Sequence, residues 1–94
     1  MPKTAIQSDD LQKLSNNVAE ELCWYVKASE GRFDSAFERS TRPIVRRMGL
    51  DYEKYEKILK EKSPSVLSLK DIIVADIVNG NSELYTVENA KEVK

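Results

Sequence analysis

One helical pattern dominates the chain, and it reads SDDLQKLSNNVAEELCWYVKASEG from Ser8 to Gly31. Its apolar residues recur every three or four positions, which places them in a single arc of about 120° on a helix. These residues are Leu11, Leu14, Val18, Leu22, Tyr25 and Val26. We expect Ser8 to cap the start of the helix and Gly31 to stop it. A helix over residues 9–30 is about 33 Å long, comparable to the diameter of a compact domain of this length, so it should form the spine of the fold.

Two further helical patterns follow the spine. The second covers residues 33–48 and ends at Gly49, which should adopt a left-handed backbone conformation. Pro43 lies inside this pattern and removes one backbone donor, so we expect the second helix to kink or restart there. The third covers residues 51–62, with Asp51 as its N-cap.

The last third of the chain supports two interpretations. The sequence SLKD at residues 68–71 has the form of a capping box and Gly80 that of a helix stop, which together predict a fourth helix over residues 68–79. The alternative is a C-terminal β-hairpin that turns at Asn79 and Gly80, because β-branched residues precede this turn and a short apolar stretch follows it. The helix is favoured because its cap and its stop are both correctly placed.

The length of 94 residues fits a single helical domain over residues 1–94, with residues 1–7 and 88–94 expected to fray. A composition of 40% hydrophobic and 33% charged residues favours an all-α bundle of about four helices with a thin core. The longest apolar run has four residues, at 72–75, far fewer than a membrane span needs. Acids near the start also argue against a secretory signal, so we expect a cytoplasmic protein whose lone Cys23 stays reduced.

The composition argues against an enzyme. The chain has no histidine and one cysteine, which leaves out the usual nucleophilic triads and zinc sites of the Cys/His type. Neighbouring acids, such as Asp9 with Asp10, diverge by about 100° on a helix and do not share a site. The three glycines are scattered singly, so no phosphate-binding loop is predicted. We therefore predict no catalytic residue, no cofactor and no metal.

The positive charge is concentrated in the second helix. Residues 32–50 carry a net charge of +3, whereas residues 1–31 and 63–94 carry −2 each. If this segment is helical throughout, four arginines share an arc of about 80° opposite the apolar side, and only Glu38 can pair with one of them. The four are Arg32, Arg39, Arg42 and Arg46. This face is either solvated or packed on the chain's own acidic helices, or it is a docking site for carboxylates or phosphates.

Trp24 departs from its surroundings. It lies about 140° from the centre of the apolar stripe of the first helix, among polar residues. Either the fourth helix or the tail crosses that side of the spine, or Trp24 anchors a second subunit or a partner protein. Its neighbour Cys23 is expected to behave as a small buried apolar residue.

These features favour a small protein–protein interaction module, namely a regulator, adaptor or inhibitor that docks on a larger protein with an acidic patch. Its candidate contacts are Trp24 and the four arginines. A homodimer is a further expectation, because acidic and basic segments could pair between two copies. The alternative is a nucleic-acid-binding regulator that uses the arginines of residues 32–47. That alternative is weakened by a pI of 5.5 and by the acids on the third helix, which would face the phosphates of a DNA groove.

Overall fold

The computed structural model describes residues 3–87, which form four helices and two short strands. In chain order these are β1 (Thr4–Ile6), α1 (Ser8–Ser29), α2 (Ser35–Arg46), α3 (Tyr52–Lys62), α4 (Val66–Val78) and β2 (Tyr85–Val87). The predicted bundle of four helices is confirmed. Residues 4–6 pair with β2, and fraying over residues 1–7 stays a prediction. The fraying predicted for residues 88–94 lies outside the described residues.

The spine helix α1 forms where the apolar pattern predicts it. Leu11, Val18 and Leu22 are each at most 2% exposed. The predicted cap is wrong, because Ser8 is already helical and the residue before the helix is Gln7, whose side chain makes no capping hydrogen bond. The helix ends at Ser29, after which the backbone turns left-handed.

Helix α2 begins two residues later than predicted because Asp34 caps it. The carboxylate of Asp34 accepts hydrogen bonds from the backbone N–H groups of Ala36 (3.0 Å) and Phe37 (3.2 Å). The helix does not restart at Pro43 but continues through it to Arg46. The kink stays a prediction.

The turn between α2 and α3 depends on Gly49. This residue has a φ of +69°, and the N–H of Leu50 reaches back to the carbonyl oxygen of Val45 at 3.4 Å, as the predicted stop requires. The loop before β2 lies against the same turn. The N–H of Glu83 donates to the carbonyl oxygen of Gly49 at 2.8 Å, and a β-carbon on Gly49 would lie 2.6 Å from the backbone nitrogen of Leu84. Glycine is needed here for both its conformation and its size.

The ambiguous last third forms a helix, and the hairpin alternative is wrong. Helix α4 starts at Val66 because Ser65, whose hydroxyl accepts the N–H of Ser68 at 3.2 Å, caps it. The predicted capping box over residues 68–71 is therefore also wrong. Strand β2 pairs in parallel with β1, with Thr4 opposite Tyr85, so its partner lies at the other end of the chain.

The core lies along α1, which packs against both α2 and α4. Helix α3 packs on α2 and is joined to α4 by the buried carboxylate of Asp76. This carboxylate accepts hydrogen bonds from the ammonium of Lys54 (2.7 Å), the hydroxyl of Tyr55 (2.5 Å) and the amide of Asn81 (3.3 Å). Among the helices of residues 3–87, none has the length and apolar character needed to cross a membrane.

Candidate docking surface

Trp24 lies on α1 and is 62% exposed. Its indole packs edge-to-face against the adjacent ring of Tyr25, with a distance of 5.0 Å between the ring centroids. No other element within residues 3–87 buries the indole, so the expectation that α4 crosses this side of the spine is wrong. The same expectation for the tail falls on residues 88–94, outside the described residues.

A groove of about 300 Å³ lies next to Trp24, between the end of α1 and the start of α2. Tyr25 contributes one wall and Phe37 the other, with Arg32 at the connection between the helices. The ring of Phe33 packs edge-to-face on that of Phe37 at 4.8 Å between centroids, which supports the second wall. Asp34 also lines this groove, but its carboxylate already accepts two backbone N–H groups of α2. The aromatic walls and the guanidinium of Arg32 therefore suit a partner side chain that is partly apolar and partly acidic.

The four predicted arginines do not share one helix face. Arg32 precedes α2, because Asp34 starts the helix only after it. The Nε of Arg32 donates to the carbonyl oxygen of Ser29 at 3.4 Å, and its guanidinium lies 3.9 Å from the carboxylate of Glu30. Arg32 therefore belongs to the groove beside Trp24.

Arg42 and Arg46 line a second groove of about 420 Å³ on the other side of α2. Arg42 forms the predicted ion pair with Glu38, and its guanidinium lies over the ring of Tyr52, 5.1 Å from the centroid. These contacts hold Arg42 in place within the chain. The second groove also has acids on its walls, namely Asp51, Glu53 and Glu83.

Arg39 and Arg46 are the two exposed arginines of α2 that lack an ion pair. In the described part of the chain, neither guanidinium has a carboxylate within 4 Å. They are seven residues apart, about 10.5 Å along the helix, and lie within about 20° of each other around its axis. Both can therefore face the same partner surface.

Arg47 is the contact that the sequence analysis missed. Its guanidinium pairs with the carboxylate of Glu21 at 2.7 Å and so joins α2 to α1. The charges of the two helices indicated that such a pair could form, but which arginine forms it depends on how the helices are rotated against each other. Packing on the chain's own acidic helices was one interpretation of the arginine face. Arg47, which is not one of the four predicted arginines, makes such a contact with α1.

Cys23 is half-buried, and its thiol lies 3.5 Å from the carbonyl oxygen of Pro64. Burial raises the pKa of this thiol above its usual value. A raised pKa lowers the fraction of thiolate, which is the nucleophilic form, so the surroundings of Cys23 do not activate it. In residues 3–87 there is no group of three or more Cys, Asp or Glu side chains suited to hold a metal ion.

Comparisons with models of protein families, with curated proteins and with solved structures found no match.

Proposed function

We propose that the chain is a small, non-enzymatic, cytoplasmic protein–protein interaction module that acts as a regulator, adaptor or inhibitor of a larger protein. The observation that carries this proposal is the exposure of Trp24, the only tryptophan in the chain, on the side of α1 that the core does not use. Tryptophan is among the residues that contribute most to binding energy at protein interfaces, because its large ring loses much water contact on docking.

The charge next to this anchor supports an acidic partner. Arg32 lines the groove beside Trp24, whereas Arg39 and Arg46 lie on another side of α2, so a partner that contacts all of them must extend around this helix. The planar guanidinium group can bind a carboxylate through two hydrogen bonds, which gives orientation as well as attraction. Because Arg39 and Arg46 lack internal partners in the described residues, a partner would not have to break an existing ion pair to bind them.

The nucleic-acid alternative has less support. The groove that holds Arg42 and Arg46 is also lined by Asp51, Glu53 and Glu83, so it does not form the extended positive surface that binding along a phosphate backbone requires. A titration of salt against binding to a mixed-sequence DNA duplex tests this alternative. Binding that is absent at low ionic strength removes it, whereas strong binding that weakens steeply with salt would favour it over a protein partner.

The test of the proposed function uses Trp24→Ala and the double variant Arg39→Glu/Arg46→Glu. The partner is first captured from the source cell with the wild-type chain, and its binding to each purified variant is then measured. Trp24→Ala should weaken binding by about 2 kcal/mol or more, seen as faster dissociation. The double reversal should slow association and reduce its dependence on salt.

Two matched controls separate docking from general effects. Leu84→Ala removes an apolar side chain that is 47% exposed at another place on the surface. Lys57→Glu/Lys62→Glu makes the same change in net charge on α3. Both controls should bind as the wild type does. Equal binding by all four variants, or loss of helicity in Trp24→Ala, would contradict the proposed surface.

A further inference from the structure

The outward side of α1 carries Trp24 between two charges of opposite sign. Glu20 and Lys27 are both exposed, as is Trp24 at 62%. In residues 3–87, neither of these two charged groups has an opposite charge within 4 Å. An exposed tryptophan flanked by an unpaired acid and an unpaired base is a surface that can complement a second copy of itself.

Helical rotation places Glu20 and Lys27 on the same edge of this side. They are seven residues apart, so they differ by about 20° around the helix axis and by about 10.5 Å along it. Trp24 lies between them in height and about 40–60° away around the axis. The core residues Leu11 and Leu22 lie on the opposite side of α1, so the core makes no use of this surface.

We propose that this outward side of α1, defined by Glu20, Trp24 and Lys27, binds the same side of a second copy of the chain, with the two helices antiparallel. A two-fold axis between positions 23 and 24 sets Glu20 opposite the partner subunit's Lys27. The same axis brings the two indoles together, because each lies within about 1 Å of the axis along the helix. Such an axis keeps every residue on its own edge of the interface, so the ion pair requires two residues that share an edge, as Glu20 and Lys27 do.

Other alignments of the two helices lose these contacts. A parallel pair would set each residue against its own counterpart, so that like charges would repel each other. An antiparallel pair centred on Glu20 would bring the two glutamates together and set Lys13 against the partner subunit's Lys27. The alignment centred beside Trp24 forms the ion pair twice and joins both indoles. This complementarity of charge is the reason for assigning the surface to a second copy.

The interface is small, because the two helices overlap only along the last part of α1. Interfaces of low area belong to weak and reversible associations. We therefore expect a dissociation constant between the micromolar and the millimolar range, with monomers in dilute solution.

The inference rests on the proposed function in one respect, since it assigns a form of regulation to the same Trp24. Because the dimer covers the indole, a second copy and the partner protein cannot occupy this side of α1 together. A high concentration of the chain should then oppose docking, because the partner binds only the monomer. The dimer itself is measured on the purified chain with no partner present, so each idea can fail while the other holds.

The fluorescence of Trp24 tests the dimer directly, because the chain has a single tryptophan. The purified wild type is diluted from the millimolar to the low micromolar range, and sedimentation equilibrium gives the molar mass of the same samples. The emission maximum should move to shorter wavelength as the mass rises from one chain to two, since the indole loses water contact in the dimer. A chain that stays monomeric into the millimolar range overturns the inference, and so does a dimer whose emission does not shift.

Charge variants locate the interface. Glu20→Lys and Lys27→Glu should each weaken the dimer on the order of tenfold or more, because each sets like charges opposite one another at two places. An equal mixture of the two variants should associate as the wild type does, since one then carries two bases where the other carries two acids. The control Lys57→Glu makes the same change in net charge on α3 and should dimerise normally. A mixture that does not associate, or a control that is weakened equally, overturns the inference.

The same variants test the regulation, because they keep Trp24 and the arginines of α2. Circular dichroism first checks that each variant is helical. At chain concentrations where the wild type is dimeric, the monomeric variants should bind the captured partner more tightly than the wild type does. Equal or weaker binding would contradict the regulatory role, whereas loss of partner binding in Trp24→Ala alone bears on the proposed function.

Discussion

At the scale of single residues, Asp76 shows how a buried acid holds two helices together. Its burial alone would raise the pKa of the carboxyl group, but hydrogen bonds from Lys54, Tyr55 and Asn81, with the positive charge of Lys54, outweigh burial and hold the pKa below its usual value. Burial and the contact with Asp76 raise the pKa of the Tyr55 hydroxyl. The donors to Asp76 lie on α3 and in the loop after α4, so this group of contacts does not follow from the pattern of α4 alone.

Asp76→Asn should therefore change how stability depends on pH. Because the pKa of Asp76 is lower in the folded chain than in the unfolded chain, its contribution is complete at neutral pH and is lost as the pH falls below about 4. We expect the variant to be less stable by about 2 kcal/mol at pH 7, where charge-assisted hydrogen bonds are lost, and similar to the wild type near the acid limit. Urea unfolding at several pH values measures the difference.

A matched control for this prediction is Asp71→Asn, which removes an exposed aspartate from the same helix. Its free energy of unfolding should stay close to that of the wild type at every pH. If Asp76→Asn lowers the free energy of unfolding by the same amount at all pH values, the changed shape of the side chain, and not its lost charge, explains the effect.

Residue positions could be predicted where one helix alone determines them. The position of Trp24 away from the apolar stripe follows from the 100° rotation per residue along α1. Its 62% exposure did not follow, because the sequence left open whether another element covers that side. The position of Arg32 could not be predicted from helical rotation, because Asp34 caps α2 and Arg32 therefore lies before the helix. The partner of Arg47 did not follow either, since it depends on the rotation of α2 against α1.

At the scale of elements, local signals predicted the four helices and their order. Asp51 caps α3 as expected, because its side chain and the helix it starts are neighbours in the chain. The start of α4 was misplaced because Ser65 and Ser68 both suit an N-cap, and the sequence does not distinguish them. The pairing of β1 with β2 has no local signal, since each strand has three residues and its partner lies at the other end of the chain.

Gly49→Ala should be the most damaging of the glycine substitutions. Gly49 and Gly80 both have positive φ, at +69° and +84°. A β-carbon on Gly80 would meet nothing within 4 Å, so Gly80→Ala should cost about 1–2 kcal/mol for the left-handed conformation alone. On Gly49 it would also clash with the backbone before β2, and we expect a further loss of about 1–3 kcal/mol.

Urea unfolding of the two glycine variants, read against the wild type, tests this comparison. Equal losses for Gly49→Ala and Gly80→Ala would mean that the loop over residues 82–84 moves away from the turn without cost.

At the scale of the whole molecule, the small thickness of the bundle explains why apolar and charged sides of its helices remain exposed. The molecule measures 42 × 27 × 18 Å, and a helix with its side chains is about 10–12 Å across. Such a thin molecule cannot bury all sides of every helix, so α1 and α4 each expose a side that a thicker bundle would cover. The composition predicted a thin core, but which sides stay exposed follows only from the packing of the helices.

The pairing of β1 with β2 has a consequence for the order of folding. Thr4 and Tyr85 are 81 positions apart, and closing so long a loop costs about 2–3 kcal/mol more than closing a four-residue turn. The few hydrogen bonds of two three-residue strands offset little of that cost. We therefore expect this pair to form after the helices and to open before them, which hydrogen exchange measures as faster deuterium uptake at the amides of residues 4–6 and 85–87 than at those of α1. Faster exchange at the strand amides would mean that both ends of the described chain detach while the helical core keeps its protection. If the strand amides instead exchange as slowly as those of α1, the sheet opens only with global unfolding, which contradicts this prediction.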